Sequence, residues 1–253
     1  MKTFWFDGES AAAHGLMISG SGTFDAAERD VEMVSIPGRS GDLIVDNGRY
    51  KNIPVTYPAS ISTDFPGRAE GIRAWLGSKV GYCRLEDDYD PDHFRLGRFQ
   101  GPLRFTPGFL NRTAECTLTF SCKPQRFLKS GERPVQLKTS GRTALLNPTG
   151  FPAKPLFYIK GTGNFYLDIY GDDGTQQKYR TDYSEEYDHV YFDMERLFFY
   201  SMDGKTVVPR FGTIAAIDGR TYGLSGGFVA IDVSCSTGGA IETIEMTPRW
   251  WTL

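Results

Sequence analysis

Histidine is scarce: His14, His93 and His189 are the only three in 253 residues. They show no H-x-x-x-H or H-x-x-E spacing, so a histidine-based metal site or triad has little support. Cysteine is sparse too, at positions 83, 116, 122 and 235 with no C-x-x-C pair. That removes the zinc-knuckle and thioredoxin spacings and leaves buried free thiols as the expectation. Positive charge is not in excess, since 28 Lys plus Arg stand against 31 Asp plus Glu. With no long run of one sign, wholesale nucleic-acid binding, which needs a basic face against phosphates, is not expected. No run approaches the about eighteen apolar residues of a membrane span. The first twenty residues, MKTFWFDGESAAAHGLMISG, lack the uninterrupted apolar stretch of a signal peptide, so the chain is expected to be made and kept in solution with no membrane partner. No fixed-period repeat is present, which argues against a propeller or solenoid.

What is abundant is aromatic and turn-forming: 14% Phe, Trp and Tyr, with 29 Gly and 14 Pro. Together with scarce helical spacing, this favours strands and turns. Thr3-Phe4-Trp5-Phe6 runs into an Asp-Gly turn signal, and Gly15-Leu16-Met17-Ile18 into a glycine cluster. The clearest strand is ECTLTFSCKP. Cys116, Leu118, Phe120 and Cys122 share one face and Thr117, Thr119 and Ser121 the other, the period of a half-buried sheet. Its two cysteines lie roughly 20 Å apart along an extended strand, against a disulfide limit near 7 Å, and so do not pair with each other. One amphipathic helix is predicted, opened by Asp64 or Pro66, carrying Ala69, Ile72, Trp75 and Leu76 as its apolar stripe and stopped by Gly77. GYCRL and RLGRFQGPLRF around the acidic turn EDDYDPDHF read as a hairpin. Between residues 129 and 155 the texture turns proline- and glycine-rich, as at a domain junction. Beyond it PLFYIKG, NFYLDIYG, HVYFDME, LFFYS and VAIDVS are spaced like the strands of an all-β sandwich.

The stretch SIPGRSGDLIVDNGRYKN, residues 35–52, invites a catalytic reading and does not sustain it. A Walker loop needs Lys and a hydroxyl residue directly after its last glycine, and a dinucleotide fingerprint needs a following helix. Here the strand-like Asp42-Leu43-Ile44-Val45 follows. A nucleophile elbow needs G-x-S-x-G, and Gly38-Arg39-Ser40-Gly41 is one residue short. The run Asp88-Tyr89-Asp90-Pro91-Asp92 starts like a calcium loop, but His93 replaces the glycine and Phe99 the bidentate glutamate, so a solvated hairpin tip is expected. Glu185, Glu186 and Asp188 read as surface acidity rather than an acid/base pair. Asn111-Arg112-Thr113 matches a glycosylation acceptor without a secretory signal beside it. No catalytic, cofactor-binding or metal-ligating set is assembled, and no enzyme activity is expected.

Taken with its flanks, the same stretch reads Val34-Ser35-Ile36-Pro37-Gly38-Arg39-Ser40-Gly41-Asp42-Leu43, then Asn47-Gly48-Arg49-Tyr50-Lys51-Asn52. This resembles the phage distal tail protein (Dit) family, which carries a V-x-I-P-G-R-x-G-x-L segment and a G-x-Y-x-N element before an extended strand. The helix with Trp75-Leu76, the hairpin at Asp90-Pro91, the strand ending Phe120-Ser121-Cys122-Lys123-Pro124 and the terminal Pro248-Arg249-Trp250 are similar in order as well as kind. Likeness is strongest over residues 1 to about 130. The resemblance implies a mainly β protein: residues 1–135 as a ring-forming N-terminal β-sandwich or split barrel with one α-helix and an extended hairpin, and residues 136–253 as a galectin-like β-sandwich, the last residues packing back on the first domain. It further implies a non-enzymatic hub at the tail tip of a long, non-contractile phage or prophage, synthesised in the bacterial cytoplasm. The expected partners are five further copies in a hexameric ring, singly or as two rings back to back, the tail tube protein, the tail-associated tip protein and a receptor-binding protein, with DNA sliding through the lumen unbound. Pro37, Gly38, Arg39, Gly41, Asp42, Arg49, Tyr50 and Lys51 are the candidate ring-contact residues, with Asp42 and Asp46 as opposite charges. The alternative is a carbohydrate-binding sandwich that uses Tyr166, Tyr170, Tyr179, Tyr183, Tyr187 and Tyr191 as stacking surfaces.

Overall fold

The computed structural model describes residues 2–181, 188–216 and 223–253 and is mainly β with one α-helix. The chain divides into two compact units, Met1–Arg126 with Leu253, and Phe127–Thr252.

The first unit contains β1 (Phe4–Phe6), β2 (Glu9–Ser10), β3 (Leu16–Ile18), β4 (Arg29–Val34), β5 (Leu43–Tyr50), β6 (Ile53–Ile61), α1 (Phe65–Ser78), β7 (Cys83–Asp87), β8 (His93–Phe99), β9 (Phe105–Pro107) and β10 (Ala114–Leu128). Its main sheet runs in the order β2-β1-β7-β8-β10-β6-β3, with β9 also on β10. The central β10–β6 pairing sets Leu118 opposite Tyr57, Phe120 opposite Val55 and Cys122 opposite Ile53. The apolar alternation of the two strands therefore falls on the same face, and a one-residue slip would turn both out to water. Pro54 and Pro58 lie within β6. Across its far edge, the carbonyls of Thr56 and Pro58 accept from the N–H groups of Gly22 and Ser19, an edge on which a proline's missing donor is tolerated.

Over that face lies α1, burying Phe65, Ala69, Ile72, Trp75 and Leu76, the stripe read from the sequence plus one residue. Its start is the expected one, with Asp64 at the N-cap and Pro66 in the first turn, while its end lies one residue past Gly77. Asp64 sits in the left-handed region at φ 53° and makes no side-chain cap; the Arg112 carbonyl accepts from the Phe65 N–H instead. Gly77 does not stop the helix, which continues to Ser78, whose hydroxyl donates to the Trp75 carbonyl. The core is aromatic: Phe4 stacks on Tyr57 at 4.8 Å, and Phe6 and Phe120 lie 5.0 Å apart. Tyr57 donates from its hydroxyl to Asp87 at 2.7 Å, and burial, then the Asp87 charge, push the phenol well up. Cys116 and Cys122 are free and buried in this core, where burial lifts the thiols to about 11 and about 12.

The acidic turn is more than a solvated tip. Asp87 accepts from the N–H groups of Tyr89 and Asp90, Asp88 from that of Thr3, and Asp90 pairs with His93 and Arg126. Asp87, Asp88 and Asp90 are thus internal acceptors, whereas Asp92 is exposed.

The second unit contains β11 (Val135–Gln136), β12 (Gly141–Asn147), β13 (Leu156–Thr162), β14 (Phe165–Gly171), β15 (Gln176–Thr181), β16 (His189–Asp193), β17 (Phe198–Asp203), β18 (Thr206–Arg210), β19 (Gly212–Ala216), β20 (Gly227–Cys235) and β21 (Ala240–Thr247). Two antiparallel sheets form, in the orders β11-β21-β13-β16-β17-β18 and β12-β20-β14-β15-β19. Phe157, Phe192 and Phe199 of the first join Leu167, Tyr179 and Ile231 of the second in one core, a sandwich closed by contacts such as Tyr179 against Phe192 at 4.7 Å. The terminal Pro-Arg-Trp motif has a local reason. Trp250 is buried, and Arg249 donates to the buried Asp193 at 2.8 Å. Burial alone would raise the Asp193 carboxyl; the Arg249 bonds and charge hold it below the usual carboxylate range.

Candidate assembly arm

β4 and β5 pair only with each other, as a two-stranded sheet of their own. The segment leading into them is fixed to the body of the first unit. Besides the bonds of Ser19 and Gly22 to β6, the buried Arg95 donates to the carbonyls of Thr23, Asp25 and Pro124 at 2.8–3.2 Å. Burial lowers the Arg95 pKa, so three carbonyl acceptors in place of a carboxylate hold that charge.

From this root the hairpin leaves the core, and every residue from 32 to 49 is exposed. The eight-residue β5 reaches about 25 Å and the six-residue β4 about 20 Å at ~3.3 Å per residue. In register, Met33 faces Ile44, Val34 faces Leu43 and Glu32 faces Val45. Because side chains alternate along a strand, Met33 and Ile44 fall on one face while Val34, Leu43 and Val45 fall on the other. Both faces are thus apolar and uncovered, with Met33 at 56% and Ile44 at 61% exposure. A strand that packs on its own core shows one such face, not two.

Charge holds the base of the arm. Arg29 forks onto Asp46, with its closest contact 2.6 Å, and lies over the Tyr50 ring at 4.8 Å. Arg49 meets Asp30 at 2.7 Å, and Lys51 meets Glu28 at 3.2 Å. The Arg29 bond, then the Gly48 N–H, pull the Asp46 carboxyl below its ordinary range; the Arg49 bond does the same for Asp30. Both carboxylates have depressed folded values, so their contribution is full above the ordinary carboxylate pKa of about 4 and disappears only as pH falls through the lower folded values. Arm amides followed by NMR are expected to keep their shifts from neutrality to about pH 4 and to disperse first at the root on further acidification. A root that frays above pH 5 would show that these pairs do not hold it.

The eight residues singled out in the sequence fall at the two ends of the arm. Pro37, Gly38, Arg39, Gly41 and Asp42 form the tip, closed by the Arg39 N–H donating to the Ile36 carbonyl at 3.1 Å. Gly38 and Gly41 have φ of 83° and 82°. Nothing lies within 4 Å of a Cβ built on either, so the backbone angle alone requires glycine there. Arg49, Tyr50 and Lys51 belong to the root, where their partners come from the same hairpin. Among the described residues the side chains of Arg39 and Asp42 have no ion-pair partner. The sequence reading missed Arg29, Asp30 and Met33, and only Met33 left a signal, in VEMV opposite LIVD.

The tyrosines of the alternative reading are dispersed. Tyr179 is buried at 1% exposure, and Tyr166 and Tyr170 each lie under an arginine guanidinium at 4.9 Å. Tyr191 has Tyr158 and Tyr200 at 5.0 Å on either side; Tyr183 and Tyr187, like Glu185 and Glu186, lie outside the described residues. No three or more His, Cys, Asp or Glu are grouped to hold a metal ion, and no helix is long and apolar enough to cross a membrane, among the described residues.

No family model and no curated protein matches the sequence. In structure the chain is similar to the SPP1 Dit (gp 19.1) protein, described as a paradigm of the hub adsorption apparatus in phages infecting Gram-positive bacteria, with TM-score 0.73, 12% identity and 100% of both chains covered. It is also similar to a chain of the phage P2 baseplate in its activated conformation, with TM-score 0.54, 9% identity and 97% of each chain covered. At full length, therefore, the chain has the fold of a phage Dit hub protein.

Proposed function

We propose that this protein is a structural, non-enzymatic hub of a phage or prophage tail tip, built as a hexameric ring that joins the tube of a long non-contractile tail to the tip and receptor-binding apparatus. The fold likeness supplies the setting, and the observation that carries the reading is the β4–β5 arm. An arm apolar on both faces, fixed at its base and far from its own core, is built to be covered by another chain. A closed ring uses heterologous contacts, so each copy needs a projecting surface and a different receiving one. The charges contribute register more than affinity, because exposed pairs are worth ~0–1 kcal/mol. The net charge of -3 suits a lumen through which DNA slides without adhering.

Native mass spectrometry at micromolar concentration tests this. Assemblies of six chains, or twelve as two rings back to back, are expected, and Gly38→Val and Arg39→Glu are expected to reduce them without unfolding the chain. A strict monomer at every concentration and salt would count against ring formation by the protein alone. A fully ring-forming Arg39→Glu variant would remove that arginine from the contact.

A further inference from the structure

We infer that the receiving surface for the arm is a recess on the first unit of the next copy, at the open ends of β6, β9 and β10; this rests on the ring reading above and adds its acceptor. Three independent features meet there. The first is a recess of about 460 Å³, walled by Ile61, Pro107, Thr106, Thr113, Ser60 and Glu115 among others, within the ~300–1,000 Å³ range of binding sites. It mixes apolar and hydroxyl lining, as the Ile36-Pro37-Gly38 turn with its bare backbone groups would need.

The second feature is charge. Glu115 lies on β10 between Ser60 of β6 and Thr106 of β9 and, among the described residues, has no cation. The arm tip presents the reciprocal case, Arg39 without a carboxylate. Elsewhere on the arm, the Arg29, Arg49 and Lys51 charges are matched within their own hairpin, which leaves the tip cation for a partner.

The third is strain. The loop beside the recess is closed by the Gly108 N–H donating to the Thr113 carbonyl at 2.8 Å and the Asn111 N–H donating to the Gly108 carbonyl at 2.9 Å. This closure holds Leu110 and Asn111 in succession in the left-handed region, at φ 48° and 59°. Leucine is unfavourable there, yet its side chain is 77% exposed. An apolar knob held at a conformational cost and buried against nothing in its own chain has a partner's apolar surface as its use. The apolar flanks of the arm supply that surface, and the recess lies at a different place on the unit from the arm, as heterologous closure requires.

The test is a cysteine pair in the full chain, Ser40→Cys at the arm tip with Thr106→Cys in the recess wall, oxidised and run under denaturing, non-reducing conditions. A ladder up to six chains is expected from the pair, with wild type and each single variant stopping at dimers. Charge reversal supplies the second arm: Arg39→Glu and Glu115→Arg alone are each expected to weaken assembly severalfold, and together to restore it. Leu110→Gly is expected to raise the melting temperature while weakening assembly. Rings in native spectra without a ladder and without charge rescue would overturn the recess and leave the ring standing. Loss of assembly in every form, wild type included, would overturn both.

Discussion

Replacing both Met33 and Ile44 with aspartate is expected to leave a folded monomer that no longer forms rings. The two residues face each other across β4 and β5 and are more than half exposed, so the chain loses little packing of its own. Its unfolding free energy is expected to move by no more than about 0.5 kcal/mol, the usual range for surface changes. Assembly is a different matter. Each side chain buried at an interface contributes roughly 1.5–3 kcal/mol, and desolvating a carboxylate in its place costs more. At about 1.4 kcal/mol per factor of ten, the pair weakens each contact by at least ~100-fold. Sedimentation velocity beside thermal unfolding by circular dichroism separates the two effects. The companion variant, Val34→Asp with Leu43→Asp, asks the same of the opposite face. If one pair abolishes rings and the other does not, only one face of the arm is covered; if neither does, the arm is not the contact.

Phe120→Ala is expected to do the reverse, damaging the fold first. The ring is fully buried and meets Phe6, Phe4, Phe99 and Tyr57 with centroids 5.0–5.9 Å away. Truncating a phenylalanine so enclosed costs about 3–5 kcal/mol, because neighbouring strands cannot close the cavity. Against a typical domain stability of about 5–15 kcal/mol, that is a large fraction of what holds the first unit. Urea unfolding of the full chain is expected to show a transition earlier by at least about 1 M, given slopes of ~1–3 kcal/mol/M. Phe120→Leu is expected to lose much less. A shift below 0.5 M for the alanine variant would mean that this aromatic cluster is not the mainstay of the unit.

The two variants also mark what was legible in the sequence. Phe120 announced itself: residues 116–122 alternate strictly, and the structure puts Cys116, Leu118, Phe120 and Cys122 in the core. The apolar stripe of α1 was equally plain, since burial of one helix face leaves a period in the sequence. Leu43-Ile44-Val45 was read correctly as strand, but propensity says nothing of whether a strand packs on its own chain or waits for another. Asp64 marked the helix start correctly, and Gly77 missed its end by one residue, where the Ser78 hydroxyl closes the last turn on the Trp75 carbonyl. Nor could the sequence say that Arg49 and Lys51 are matched inside the hairpin, since Asp30 and Glu28 meet them only through the β4–β5 pairing. Leu110 left no trace at all: a leucine in the left-handed region looks like any leucine.

The arm's root ties residues only 17 to 23 positions apart, whereas β6 must wait for β10, with Ile53 meeting Cys122 and Ile61 meeting Ala114. During synthesis from the N-terminus, the arm's own pairs are complete while the strand that will flank its body is still some sixty residues from being made. Short-range closure is the faster event in any case. On the ring reading proposed above, the surface offered to a neighbour is therefore synthesised and can begin to pair before the sheet that stabilises its own unit. Chains growing side by side on one message would present finished arms to one another with no receiving surface yet formed, which favours waiting over premature assembly.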